Sequence, residues 1–168
     1  MLEKVCRHVH NYFVRAAYPD TFTISGGMIA GAEVDLSETL KPGQRFMIMN
    51  SDLNDGIYTW HQTQNGYAVY NDDNTTAAAL EAETFDGVII AMAPPKDFLD
   101  LVAEIGDWQT AYGAKALSPY QSENVIGVYS YTKASGNGDG NGNGSGSPTW
   151  ESVFASRLNP YRKTGDLL

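Results

Sequence analysis

At 168 residues, with 42% apolar and 18% charged side chains, the chain has the composition of one folded globular domain rather than of a disordered segment. Its formal net charge of −9 argues against a protein that wraps nucleic acid, because such binding needs Lys and Arg to displace counterions. The single cysteine excludes an intrachain disulfide framework, and no apolar run reaches membrane-spanning length or resembles a signal peptide.

The acidic charge is concentrated in the middle of the chain. Residues 20–112 carry fifteen acidic side chains against three basic ones, whereas both ends of the chain are slightly basic. Such a surface repels DNA or docks on a basic partner. A solvated acidic face that keeps the protein soluble is the alternative interpretation.

The first predicted element is a helix over residues 2–15, ended by the breaker Tyr18-Pro19-Asp20. Its apolar stripe consists of Leu2, Val5, Val9, Tyr12 and Phe13. Cys6 and His10 lie four residues apart on one face of this helix, but His8 does not share that face. We therefore expect no metal site here, since no second pair of ligands is close in the sequence.

Between Thr21 and Met92, short runs of β-branched and aromatic residues alternate with Gly, Asn and Asp, which predicts strands. The predicted strands are residues 21–24, 33–36, 45–49, 56–60, 67–70 and 88–92. Asn54-Asp55-Gly56 is a hairpin turn signal, and the alanine-rich stretch 75–83 is expected to form a helical turn. Short strands with tight turns predict a small β-barrel or curled sheet inserted over residues 21–92.

Two acidic turns in this region invite a calcium interpretation. In Asp52–Gly56 the spacing departs from an EF-hand loop, and the sixth residue after the glycine is Gln62 instead of the glutamate that such a loop requires. The turn Asn71–Asn74 offers oxygen ligands but is typical of a solvated loop. We expect no calcium site at either turn.

The most strongly periodic stretch is Pro94–Gly113, which predicts the central helix on which the other elements pack. Its apolar face consists of Phe98, Leu101, Val102, Ile105, Trp108 and Tyr112, and its acidic face of Asp97, Asp100, Glu104 and Asp107. With the helices at both ends of the chain, it predicts an α+β fold: a helical framework of N-terminal, central and C-terminal helices carrying a small β insertion.

The last third of the chain predicts a strand or hairpin arm within residues 117–134, a glycine-rich tether over 135–147 and a C-terminal helix over 148–163. The stripe of this helix consists of Trp150, Val153, Phe154, Leu158 and Tyr161. A helix on such a tether either folds back on its own domain or is donated to a neighbouring chain. All of these elements are expected to form one domain, residues 1–168.

No nucleophile elbow, Cys–His signature or His-Glu-x-x-His motif occurs in the sequence, and His8, His10 and His61 lack an evident acid–base partner. We therefore expect neither an enzyme nor a cofactor. Two alternatives stay open. One is a carbohydrate- or peptide-binding β module that uses exposed Trp60, Tyr67 and Tyr70, and the other is a small hydrolase that uses carboxylates of the middle region.

Two C-terminal motifs carry a resemblance to a known family. Ser122-Glu123-Asn124-Val125-Ile126-Gly127-Val128-Tyr129-Ser130-Tyr131, followed by Leu158-Asn159-Pro160-Tyr161-Arg162, resembles the C-terminal half of head–tail connector (adaptor, or head-completion) proteins of tailed phages, the siphoviruses. Arg45–Trp60 also resembles small β modules of phage structural proteins. The resemblance covers about a third of the chain.

The resemblance implies a structural virion protein in the neck between head and tail, assembled in the cytoplasm of the host bacterium. It implies a homo-oligomeric ring, dodecameric by analogy, that docks on the portal protein, extends the DNA channel and carries a stopper or tail-terminator protein. DNA would pass through without specific binding, and no membrane is involved. Because aromatic and arginine residues dominate interface energies, the expected docking residues are Trp150, Phe154, Arg157, Leu158, Tyr161, Arg162 and Lys163.

Overall fold

The computed structural model describes residues 1–64, 66–73, 75–113 and 149–163, and the backbone of 122–125 and 129–132. The helices are α1 (Leu2–His8), α2 (Leu36–Thr39), α3 (Lys96–Tyr112), α4 (Trp150–Val153) and α5 (Ala155–Leu158), with a 3₁₀ turn at Asn159–Tyr161. The strands are β1 (Val14–Ser25), β2 (Met28–Gly31), β3 (Arg45–Met49), β4 (Gly56–Thr63), β5 (Gly66–Asn71), β6 (Glu83–Met92), β7 (Ser122–Val125) and β8 (Tyr129–Thr132).

Six of these strands form one sheet in the order β2-β1-β6-β3-β4-β5, and the sheet curls into a nearly closed barrel. Each neighbouring pair in that order is antiparallel. The longest pairing joins β1 to β6, from Val14 opposite Met92 to Ile24 opposite Glu83. β7 and β8 pair with each other as a separate two-stranded sheet.

The barrel interior holds the first of two hydrophobic cores. Alternate residues of each strand point inward, so that Phe22 faces Phe85 and Trp60 faces Val69 across neighbouring strands. The buried members of this core are Phe22, Ile24, Ile29, Leu36, Leu40, Phe46, Ile48, Trp60, Val69, Ala78, Phe85, Ile89 and Ala91. Leu36 and Leu40 come from the two ends of α2, which therefore contributes to the barrel core.

The second core lies on the outer face of the sheet, under a layer of helices. Met47 and Ile90, which alternate with inward-facing residues of β3 and β6, pack against this layer together with buried Ile57 and Met92. Its helical members come from α1, α3, α4 and α5: Leu2, Val5, Cys6, Phe98, Leu101, Val102, Ile105, Trp108, Trp150 and Leu158. In the described part of the chain, no helix is long and apolar enough to cross a membrane.

The predicted helical framework is wrong, because the sheet is the framework and the helices are short additions to its outer face. The first helix ends at His8 instead of residue 15, since His10 and Phe13 adopt positive φ angles of 54° and 49° that no helix continues through. β1 then starts at Val14, so the sheet extends beyond the predicted insertion. Pro19 is tolerated within β1 because that part of the strand pairs on one side only.

Three smaller predictions are also wrong. Residues 33–36 do not form a strand; the carboxylate of Asp35 instead accepts a hydrogen bond from the Ser37 N–H at 2.8 Å and caps α2. Around Ala77 the chain is extended and bridges to Tyr70 of β5, where a helical turn was expected. The C-terminal helix is broken at Phe154, whose ψ of 7° interrupts the helical repeat.

Other elements are confirmed. The predicted strands 21–24, 45–49, 56–60, 67–70 and 88–92 lie within β1, β3, β4, β5 and β6. The central helix runs over Lys96–Tyr112, and the loop that contains Asn54-Asp55-Gly56 connects the antiparallel pair β3 and β4. The backbones of β7 and β8 pair as the predicted hairpin arm. The tether over 135–147 lies outside the described residues.

Asp20 ties β1 to the connection that leads into α2, and this contact makes folding stability depend on pH. Its Oδ2 accepts the backbone N–H groups of Val34 at 2.8 Å and Glu33 at 2.9 Å. These hydrogen bonds lower the pKa of Asp20 below its ordinary value, and the one from Val34 has the largest effect. Since the folded pKa is depressed, the stabilisation is present above the ordinary aspartate pKa of about 3.9 and is lost as the pH falls below it.

We expect Asp20→Asn to lower the melting temperature at about pH 6 and to lower it less at about pH 3, where the carboxyl of the unfolded chain, with an ordinary pKa of about 3.9, is largely protonated and the stabilisation declines. Circular dichroism melts of both proteins at the two pH values measure this difference. Asp52→Asn, at an exposed position of the loop between β3 and β4, is the matched control. An equal gap between wild type and Asp20→Asn at both pH values would show that the charge of Asp20 is not what stabilises the connection.

Candidate functional site: the C-terminal segment and its seat

The predicted docking residues all lie in residues 149–163, which we call the C-terminal segment. The Ser152 hydroxyl accepts a hydrogen bond from the Thr149 N–H at 3.1 Å, and Glu151 lies in the first turn of α4, where a negative charge is favoured. Pro160 lies in the 3₁₀ turn that follows α5. The segment is therefore a compact, locally capped unit and not an extended tail.

The apolar side of the segment is buried against α1 and α3, the surface that we call its seat. Trp150 is 9% exposed, Phe154 5% and Leu158 0%. The Trp150 ring packs on His8 of α1 in a T-shaped arrangement with a centroid distance of 5.2 Å, and Phe154 packs on Trp108 of α3 in the same way at 6.4 Å. The stripe predicted from the sequence thus closes the outer core of its own chain.

Two polar contacts join the segment to the acidic face of α3. The guanidinium of Arg157 donates two hydrogen bonds to the Glu104 carboxylate, each 2.6 Å long, and this donation lowers the pKa of Glu104. The hydroxyl of Tyr161 donates to Asp97 at 2.6 Å, which lowers the pKa of Asp97 and raises that of Tyr161. Both pairs are exposed to solvent, so they orient the segment more than they stabilise it.

The end of the segment is fixed to the end of α1 and the residues after it. The Asn11 side chain donates to the Tyr161 carbonyl at 3.1 Å, and the Lys163 N–H donates to the Val9 carbonyl at 3.1 Å. A nitrogen of the Arg162 guanidinium lies 2.9 Å from Nε2 of His8. These contacts position two exposed cationic side chains, Arg162 and Lys163, beside the C-terminal end of α1.

The seven predicted docking residues are therefore brought together, but they divide into two groups. Trp150, Phe154 and Leu158 are buried, and Tyr161 is half-buried. The cationic residues Arg157, Arg162 and Lys163 stay exposed. Docking of these residues on a portal or a neighbouring subunit stays a prediction. In the single chain the apolar group binds its own seat.

Sequence reasoning missed the residues that form the polar part of the seat. Asp97 and Glu104 were assigned only to the acidic face of the central helix, and His8 was considered only as a metal ligand or an acid–base residue. The acidic residues of α3 and the basic residues of the C-terminal segment could have predicted a contact between these elements, because opposite charges favour pairing. A helix pattern alone does not say which acids are paired.

A groove of about 370 Å³ lies where the segment meets the second half of α3. Aromatic rings of Trp108, Tyr112 and Phe154 form its apolar lining, and the carboxylates of Glu104 and Asp107 and the side chain of Arg157 line it as well. Because Arg157 is paired with Glu104, the groove presents apolar surface beside charges of both signs.

The loop between β3 and β4 is held by a hydrogen-bond network at Glu83. Its carboxylate accepts from the Ser51 hydroxyl at 2.6 Å, from the Asp52 N–H at 2.8 Å and from the Asn54 side chain at 2.8 Å. The Ser51 hydroxyl is the leading cause that lowers the pKa of Glu83. These hydrogen bonds, which reach Glu83 from three residues of the loop, hold the loop against the start of β6.

The aromatic residues of the proposed binding-module alternative are not arranged as that alternative requires. Trp60 is 5% exposed and lies in the barrel interior, stacked on Tyr67 at a centroid distance of 5.1 Å. Tyr70 stacks on His61 at 4.4 Å and is half-buried. Trp60, expected there as an exposed contact residue, is a core residue.

Comparison with models of known protein families, with curated proteins and with solved structures finds no match to this chain.

Proposed function

We propose that this protein is a head–tail connector adaptor of a tailed phage, a structural protein that forms a ring between the portal and the stopper or tail. The observation that carries the proposal is the pair of C-terminal motifs, Ser122–Tyr131 and Leu158–Arg162. The second motif closes the C-terminal segment, the unit to which the docking role is assigned. The activity is assembly, and no catalytic step is part of it.

The arrangement of charge supports a neck protein through which DNA passes. No Lys or Arg occurs between Arg45 and Lys96, a stretch that supplies β4, β5, β6 and the loops at one end of the barrel. Acidic side chains in those loops are Asp52, Asp55, Asp72, Asp73 and Glu81. Fixed negative charge repels phosphates and lets a duplex slide, whereas a basic lining would hold it in a salt-dependent manner.

The exposed cations of the C-terminal segment support docking on an acidic partner surface. Arg162 and Lys163 lie beside the C-terminal end of α1, and α1 itself carries exposed Lys4 and Arg7. Charge complementarity of this kind steers association and fixes the orientation of the partners. The portal protein is the partner that the proposal names for this surface.

Reversing both cations, Arg162→Glu with Lys163→Glu, is expected to weaken attachment to portal-bearing heads about tenfold, or about 1.4 kcal/mol. Co-sedimentation of the labelled protein with such heads measures the affinity. The matched control reverses two exposed basic residues outside the segment and its seat, Arg15→Glu with Lys41→Glu, and its affinity should stay near that of the wild type. Equal attachment of both double variants would show that the C-terminal end is not the portal contact, and absence of wild-type attachment would contradict the adaptor role.

A further inference from the structure

The loop between β3 and β4, residues 50–55, is held in one conformation by the side chains around it. Four consecutive backbone N–H groups donate hydrogen bonds to side-chain oxygens: those of Ser51, Asp52, Leu53 and Asn54. Ser51 and Asn54 are 8% and 3% exposed, which is unusual burial for polar residues of a surface loop. The backbone of the loop is therefore fixed before any partner binds.

Leu53 extends from this fixed loop into solvent. Its side chain is 55% exposed, and the acidic residues on either side of it, Asp52 and Asp55, are exposed as well. Neither carboxylate forms an ion pair within the described part of the chain. A loop that is already ordered loses little conformational entropy when it binds. An apolar side chain between two unpaired carboxylates complements an apolar pocket whose rim carries Lys or Arg.

The loop lies at the opposite end of the barrel from the end of the C-terminal segment. It is held by Glu83, the first residue of β6. Tyr161 of the segment packs on Phe13 at a centroid distance of 6.5 Å, and the Phe13 carbonyl accepts the N–H of Ala93, directly after β6. The ten residues of β6 separate these two points by about 30 Å. A protein that docks through the segment therefore presents Leu53 at its other end.

We propose that Leu53 is the side chain through which the adaptor binds the neck protein on its tail side, in an apolar pocket with a basic rim. The inference rests on the proposed function, because a ring between the portal and the stopper or tail has a partner at each end. The C-terminal segment faces the portal, and the loop at the far end of the barrel faces the second partner. Asp52 and Asp55 pair with the basic rim and orient the contact.

Three single variants of the full-length chain test this contact. Leu53→Ala removes the side chain, Leu53→Met keeps an apolar one, and Val14→Ala shortens a residue that is 59% exposed at the Met92 end of the sheet. Attachment is measured by co-sedimentation with portal-bearing heads. Tail joining is measured as plaques after each protein is added to an extract of cells infected by a phage that lacks this gene, because that extract supplies heads, tails and the other neck proteins.

All three variants should attach to heads as the wild type does. At limiting protein concentration we expect Leu53→Ala to restore about tenfold fewer infectious particles, and Leu53→Met and Val14→Ala to stay within about twofold of the wild type. Equal restoration by Leu53→Ala overturns the proposal, and so does a loss of its attachment to heads, since the loop would then lie on the portal side. If the wild-type chain neither attaches to heads nor restores particles, the proposed function fails and this inference fails with it.

Discussion

Replacing Phe46 by alanine is expected to lower the free energy of unfolding by about 3–5 kcal/mol. Phe46 is 0% exposed in the barrel interior, with the rings of Tyr58 and Trp60 at centroid distances of 5.9 Å and 6.1 Å. Its removal leaves a cavity between β3 and β4 that neighbouring strands, fixed by their hydrogen bonds, fill only in part. Urea unfolding followed by circular dichroism measures the change.

The control for Phe46 is an equally apolar residue outside both cores. Leu53 is 55% exposed at the loop between β3 and β4, and Leu53→Ala should change the free energy of unfolding by no more than about 0.5 kcal/mol. A loss below about 1 kcal/mol for Phe46→Ala would mean that the curled sheet does not enclose a packed interior, and the barrel description would be wrong.

Trp150→Ala is expected to destabilise the isolated chain by about 3 kcal/mol, because this ring closes the outer core from the C-terminal side. Trp150 is 9% exposed and packs on the ring of His8. Loss of the ring should also weaken attachment to portal-bearing heads, since the segment that carries Arg162 and Lys163 would no longer be held in place. Paired urea-unfolding and co-sedimentation measurements separate the two effects.

Ser156→Ala is the matched control for Trp150→Ala, because Ser156 lies in α5 of the same segment with its side chain exposed. It should leave both stability and attachment close to wild-type values. A Trp150→Ala protein with wild-type stability would contradict the packing of the segment on α1 and α3. An unstable variant that still attaches as wild type would show that the segment closes a core without docking.

Local sequence patterns predicted individual strands better than the architecture. The alternation of Arg45–Met49 and the i, i+3, i+4 spacing of Pro94–Gly113 identify β3 and α3 because each period is satisfied within one element. Which element is the framework depends on pairings between distant strands. The register of β1 with β6 joins residues 59 to 78 positions apart, and no local pattern contains it.

The start of the sheet was mistaken for the end of a helix for a physical reason. Tyr12 and Phe13 continue the apolar spacing of α1, so the period alone favours a longer helix. The backbone turns instead at His10 and Phe13, where φ is positive, and the Asn11 side chain accepts a hydrogen bond from the Phe13 N–H at 2.9 Å. Pro19 then argued against a strand, although a strand paired on one side accepts proline.

The sequence predicted the apolar face of the C-terminal segment but not the residues that this face contacts. Trp150, Phe154 and Leu158 were correctly identified as an apolar surface that has to be buried, and the structure adds where it is buried in the single chain. Their partners, His8 and Trp108 among them, lie in other elements. The apolar pattern of a sequence predicts which face of a helix is buried. The surface against which that face packs is determined by tertiary contacts.

Restoration of tail joining tests the adaptor role most directly. Heads made by a phage from which this gene has been removed are mixed with purified tails, with and without the purified protein, and infectious particles are counted as plaques. We expect addition of the full-length chain to restore infectious particles and a chain that lacks residues 149–163 to fail. Heads and tails that join equally well without the protein, or that stay unjoined when the folded protein is added, would contradict the adaptor role.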